Sequence, residues 1–165
     1  MPEEFSEEPE DLDRPPSFFP YDGEGPEPVE QDFGEPVEGK VEAVYATQAG
    51  EQIQRFVLLT DGERKLPIVI GPFEAQAISL PLDGSKPDRP MTHDLIFNIM
   101  EKLNATLARV VIDDLWGSTY YAKMYLKTGK KEVEIDSRPS DAIAIAVRFE
   151  CPIFVAEGIL EYSGQ

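Results

Sequence analysis

The sequence has one cysteine, one histidine and one tryptophan in 165 residues. A lone Cys151 excludes an internal disulfide, and with a lone His93 it excludes a Cys/His zinc site within one chain. No apolar window approaches the ~20 residues that cross a bilayer. No basic stretch precedes an apolar run either, so no secretory signal is expected and a cytoplasmic location is. A Gly-rich phosphate loop, a G-x-S-x-G elbow and a Cys/His pair for thiol catalysis are all missing, which leaves kinase, P-loop, hydrolase-elbow and redox readings without support.

Basic residues are scarce as well, 15 against 32 acidic ones, for a net charge of −17. The excess is uneven. Residues 1–36 carry thirteen acids against Arg14 alone and eight of the fifteen prolines. Such a segment cannot bury enough apolar area to offset its chain entropy, so 1–36 reads as a disordered acidic, Pro-rich tail, either a solubilising leader or a segment that mimics a polyanion. Residues 37–165, with a net charge of −5, form the folded domain.

What the domain does have is alternation. "VEAVYAT" (41–47), "IQRFVLLT" (53–60) and "RKLPIVI" (64–70) read as strands, with a hairpin turn at Asp61-Gly62. Pro72 opens a helix in "GPFEAQAISL". "THDLIFNIMEKL" (92–103) is a second helix with Thr92 as N-cap. "LARVVIDDL" (107–115), "STYYAKMYLK" (118–127) and "KKEVEID" (130–136) are three more strands. A helix follows in "DSRPSDAIAIAVR" (136–148), then a closing strand and terminal turn in "PIFVAEGIL" (152–160). At an offset of 67 residues, nine of the 39 positions from Val41 to Ser79 are identical to the second half, among them Pro72 with Pro139 and Gly62 with Gly129. The expected fold is therefore α+β, with internally duplicated βββα units packing helices on a mixed, largely antiparallel sheet.

Three constellations could carry chemistry. Asp136, Arg138 and Asp141 stand where the first half has Val69, Gly71 and Glu74, with Ser140 placed to cap the helix start. They make either an ion-pair clip between strand and helix, or a cation site with Arg138 on a phosphate. His93 lies in a first helical turn beside Asp94, where an imidazole can be a general base or a metal ligand, or simply a surface residue. Along "TYYAKMYLK", period two puts Tyr121, Lys123, Tyr125 and Lys127 on one face, continued by Lys130 and Lys131. That composition suits stacked bases and phosphates, and equally a solvated sheet face.

"LPIVIGPFEAQAISL", "RPMTHDL" and "EIDSRPSDAIAIAVR", in that order, resemble the bifunctional nuclease domain family over the stretch from near Val37 to Leu160. The resemblance implies an α+β nuclease domain that acts on DNA and RNA and self-associates. Its site residues would be Glu74, His93, Asp94, Asp136, Arg138 and Asp141. On that reading Glu74, Asp136 and Asp141 hold Mg²⁺ or Mn²⁺, a water attacks phosphorus, and Arg138 offsets developing charge. The competing reading is a non-catalytic oligomeric binding or regulatory module, with the Asp-Arg-Asp group as a structural clip. No membrane partner is expected.

Overall fold

Alternating apolar residues build the first sheet segment. The computed structural model describes residues 31–163. In it β1 (Pro36–Ala49), β2 (Gln52–Thr60) and β3 (Lys65–Ile70) form an antiparallel meander. Strict alternation in β3 buries Leu66, Ile68 and Ile70 and leaves Lys65, Pro67 and Val69 outside. The β2–β3 turn is tied by Asp61, whose carboxylate accepts the Glu63 and Arg64 N–H groups at 3.0 and 2.7 Å. Gly62 supplies the positive φ of 102° that this turn requires.

Helix α1 (Pro72–Leu82) and helix α2 (Thr92–Lys102) follow, then a second antiparallel meander of β4 (Ala105–Trp116), β5 (Thr119–Thr128) and β6 (Lys131–Ser137). Helix α3 (Pro139–Phe149), strand β7 (Ile153–Ala156) and helix α4 (Glu157–Ser163) complete the chain. The sheet order is β3-β2-β1-β7-β4-β5-β6, so β7 joins the two meanders, antiparallel to β1 and parallel to β4. This is the mixed, mainly antiparallel α+β architecture expected. Helix α1 rests on β1 and β2, α3 on β4 and β5, and the two helices pack on each other. The consecutive residues Ala142, Ile143, Ala144, Ile145 and Ala146 are all buried, because the small alanines let α3 lie close to the sheet.

Several local expectations change. Met91, not Thr92, is the N-cap of α2, and the Asp94 carboxylate in the first turn accepts the Met91 N–H at 2.9 Å. A carboxylate three residues in thus satisfies the N–H of the cap residue itself, the reciprocal half of a capping box. Ser140 is not a cap either: Arg138 holds that position and Ser140 is buried inside the first turn. The terminal turn is a helix, α4, with Ile159 and Leu160 buried. The tail expected over 1–36 lies outside the described residues except for its end, which belongs to the fold. Phe33 packs on the core, its carbonyl accepts the Gly158 N–H at 2.7 Å, and Glu35 O accepts Glu157 N–H at 3.0 Å. Among the described residues no helix is long and apolar enough to cross a membrane.

Candidate functional site

The N-termini of α1 and α3 and the start of α2 converge on one cavity of about 600 Å³. Each helix start contributes a polar side chain, because residues in the first turn project from the end of the helix. Glu74 comes from α1, His93 from α2, and Arg138 and Asp141 from α3. They form a continuous chain of contacts. His93 Nε2 donates to Asp141 Oδ1 at 2.9 Å, Arg138 Nε donates to Asp141 Oδ2 at 2.7 Å, and Arg138 Nη1 donates to Glu74 Oε1 at 3.2 Å. Burial alone would raise the Asp141 carboxyl pKa, but the hydrogen bonds from Arg138 and His93 outweigh it and hold the group below the usual range.

Arg138 is tied to both acids, yet its side chain is 65% exposed. Exposed pairs are worth roughly 0–1 kcal/mol each, so the guanidinium is free to exchange a carboxylate for a phosphate at small cost. A neutral imidazole that donates Nε2–H to Asp141 carries its lone pair on Nδ1. The cluster therefore offers a positioned base, a carboxylate that orients it, and a cation able to meet an anionic substrate.

The donor set does not fit a resident Mg²⁺ or Mn²⁺. Both Asp141 oxygens are engaged, Arg138 stands between Asp141 and Glu74, and among the described residues no three His, Cys, Asp or Glu side chains group to hold a metal.

Residues 57–165 match the bifunctional nuclease domain family. The chain belongs to that family. A Mycobacterium tuberculosis relative, "Uncharacterized protein Rv1829", is 40% identical over 128 residues, covering 76% of this chain and 76% of its own length. "Bifunctional nuclease 2" of Arabidopsis thaliana is 31% identical over 93 residues, 54% of this chain and 28% of that protein. "Bifunctional nuclease 1" of Oryza sativa subsp. japonica is 29% identical over 102 residues, 60% of this chain and 31% of that protein. The chain thus spans about a third of the plant proteins' length.

In this bifunctional nuclease domain Asp136 stands apart from the cavity. It pairs across β5–β6 with Lys123, while its neighbour Ser137 lines the cavity, so the two-residue period of β6 sends Asp136 to the opposite face. The clip expected to join Asp136, Arg138 and Asp141 is instead Glu74–Arg138–Asp141. Asp94 is also outside the cavity lining. Its Oδ1 accepts Arg148 Nε at 2.8 Å, and it serves the helix junction.

The strand face of Tyr121, Lys123, Tyr125 and Lys127 lies opposite Met124, which lines the cavity. Its central groups are paired. Lys123 Nζ meets Asp113 at 2.8 Å, and Arg109 sits 3.9 Å over the Tyr125 ring while bonding Glu132 twice at 3.0 Å. Lys127, Lys130 and Lys131 are exposed at the hairpin and have no ion-pair partner among the described residues.

Sequence reasoning missed Arg148. It is almost wholly buried, donating to Asp94, to Ala77 O and to Ala144 O, the last two at 2.7 Å, and so locks α1, α2 and α3 together. An arginine inside an Ala/Ile run was the available signal, since a buried cation must find several acceptors.

Proposed function

We propose that this domain hydrolyses phosphodiester bonds of DNA and RNA with low sequence selectivity, using the cavity at the three helix starts. The observation that carries it is the His93–Asp141–Arg138–Glu74 chain, drawn from three separate segments onto one open cavity. Membership of the family and the plant relatives' names support the reaction class. Arg138 would hold a non-bridging phosphate oxygen through Nη2, which is unbonded among the described residues, and keep Glu74 on Nη1. His93 Nδ1 would take a proton from the attacking water, with Asp141 steadying the imidazolium that forms. The P–O bond then breaks, and the departing oxygen recovers a proton from His93. No step is routed through the divalent ion expected from sequence; a metal enters this proposal only as one carried in by substrate phosphates. The single half-buried thiol suits a reducing compartment, and a cytosolic setting is part of the proposal.

Cleavage of single-stranded DNA and RNA by wild type, His93→Gln and Asp141→Asn, each with Mg²⁺, Mn²⁺ or EDTA, tests this. Circular dichroism should first show equal folding. Loss of a positioned base predicts a fall of about 10²–10⁴ in rate for His93→Gln. Equal cutting by all three proteins rejects the reading.

A second reading draws on the same contacts: Arg138 already satisfies two acids from two helices, as a structural clip in a non-catalytic binding or regulatory module would. That version predicts no cleavage at all and a lowered melting temperature for Arg138→Met.

We also propose self-association through the outer face of α2. Leu95, Ile96, Ile99 and Leu103 each leave between 38% and 72% of their surface exposed. Together they present on the order of 400 Å² of apolar surface, about half of the ~800 Å² each partner buries in a standard interface. A second copy fits best, since a face with so little charge is self-complementary without ion pairing. Light scattering should give a multimer for wild type and a monomer for Ile99→Glu; a monomeric wild type rejects the idea.

A further inference from the structure

Arg138 lines a second cavity, on the other side of the clip, with a volume of about 510 Å³. Its wall brings together the end of β3, the β4–β5 hairpin, the start of α3 and Tyr162 of α4. Nothing in the reaction above uses it.

Three observations describe what it can hold. Helix α3 is eleven residues long and begins at this wall; its first intrahelical bond to the cap is Ala142 N–H to Arg138 O. Pro139 has no N–H, so Ser140 and Asp141 are the backbone donors left over at the helix start, and among the described residues neither has an acceptor. The Ser140 side chain is the second observation. The residue is only 8% exposed and lines the cavity, and its hydroxyl makes no hydrogen bond to any described residue. Its oxygen is not sealed from solvent, since among the described residues Asp113 Oδ1 is the one side-chain atom both buried and unbonded, so the hydroxyl opens onto the cavity and is free to meet a ligand oxygen. Third, Arg138 adds a cation, with Nη2 unbonded among the described residues, while the one carboxylate on the wall, Glu74, is already bonded to it.

These groups fit a phosphate: an N-terminal helix dipole, the Ser140 N–H, its hydroxyl and a guanidinium. The rest of the cavity fits what a phosphate is attached to in a nucleic acid. Tyr162 stands at the mouth, 66% exposed, and Tyr120 is held deeper by its hydroxyl 3.3 Å from Ser163 Oγ. Two tyrosines beside an anion pocket supply a stacking surface for a base, whichever base it is.

We infer that this second cavity is a nucleotide subsite, in which the α3 N-terminus, Ser140 and Arg138 hold a phosphate and Tyr162 stacks the attached base. The assignment rests on the phosphodiester reading of the neighbouring cavity and extends it. Because Arg138 lines both, a single-stranded nucleic acid would lie across the clip, with one nucleotide seated here and the adjacent linkage beside His93. That geometry needs an unpaired strand, since a base stacked on Tyr162 is not stacked in a duplex.

Calorimetric titration of the full chain with uridine 5′-monophosphate, adenosine 5′-monophosphate and inorganic phosphate tests it. Both nucleotides should bind more tightly than phosphate and about equally to each other. Tyr162→Ala, at an exposed position, should weaken both nucleotides roughly tenfold and leave phosphate unchanged. Ser140→Val should weaken all three, and Ser140→Ala serves the same purpose should valine unfold the chain. Nucleotides that bind no better than phosphate, or affinities indifferent to both positions, overturn the assignment. Binding and cleavage are separate readouts. A chain that binds nucleotide through Ser140 and Tyr162 but cuts nothing removes the proposed reaction and keeps the subsite; one that cuts without such binding does the reverse.

Discussion

A missing hydrogen decides how α1 and α3 meet. Pro81 lies inside α1 and has no N–H to give to the carbonyl four residues back, that of Ala77. Arg148 fills that carbonyl from α3 and takes Asp94 at the same time. Arg148→Met should therefore cost about 2–3 kcal/mol, somewhat less than for a fully buried ion pair because Asp94 is partly exposed; urea denaturation measures it. The acids in these contacts also set the response to pH. Backbone N–H groups, Arg64 N–H first, hold the Asp61 carboxyl down to about 2 from 3.8, and Asp141 is held below its usual range as described. A carboxylate with a depressed pKa stabilises the fold above its unfolded pKa and loses that contribution as pH falls through the folded value. Stability should thus decline from about pH 4 downward, and Asp141→Asn should decline less steeply over that range in acid melts. At this scale the sequence was informative about which residues matter and weak on partners. Glu74 and Asp141, at equivalent places in the two halves, both bind Arg138, whereas Asp136, only two residues from Arg138, is turned away by the strand period.

Element boundaries were legible because punctuation coincides with periodicity. Pro72 and Pro139 each stand at the first helical position, and glycines with positive φ close the β2–β3, β4–β5 and β5–β6 turns. What periodicity could not give is which donor satisfies a helix end, since that depends on a side chain arriving from elsewhere or folding back locally, as Asp94 does on Met91. The C-terminus of α3 shows a local compromise. Glu150 ends the helix in the left-handed region at φ 52°, while Cys151 N–H bonds Ala146 O. A side chain there is strained by about 1–2 kcal/mol, and glycine is not. Allowing for glycine's extra freedom when unfolded, Glu150→Gly should stabilise by about 0.5–1 kcal/mol, seen as a higher melting temperature. Gly158 is the opposite case. A Cβ there would lie 2.8 Å from the Phe33 carbonyl oxygen, a backbone atom that cannot swing aside. Gly158→Ala should cost about 1–3 kcal/mol and release Phe33 from the core; thermal melting together with proteolysis near residue 33 reports both effects.

At the scale of the whole molecule, a four-residue strand joins the two meanders into one sheet. β7 gives its Phe154 and Val155 backbone to β1 on one side and to β4 on the other, with the Val155 side chain fully buried. Val155→Ala should cost about 2–3 kcal/mol. Because β7 couples both halves, calorimetry should show one peak, shifted as a unit, in place of a separate early transition for one meander. Strand and helix periodicity foretold the α+β class, but no local pattern shows that a late, short strand will be inserted in the centre of the sheet. That order has a consequence for synthesis. β1 ends at Ala49 and its second neighbour starts at Ile153, about 100 residues later, an interval on the order of 5–20 s for a ribosome at ~5–20 residues per second. Throughout it the nascent β1 carries an unpaired edge into a crowded medium. Glu38 in the stretch that β7 will cover, with Lys40 and Glu42 just beyond it, places charge where a passing strand from another polypeptide would otherwise dock, so the protein's own gatekeepers guard the edge until β7 arrives.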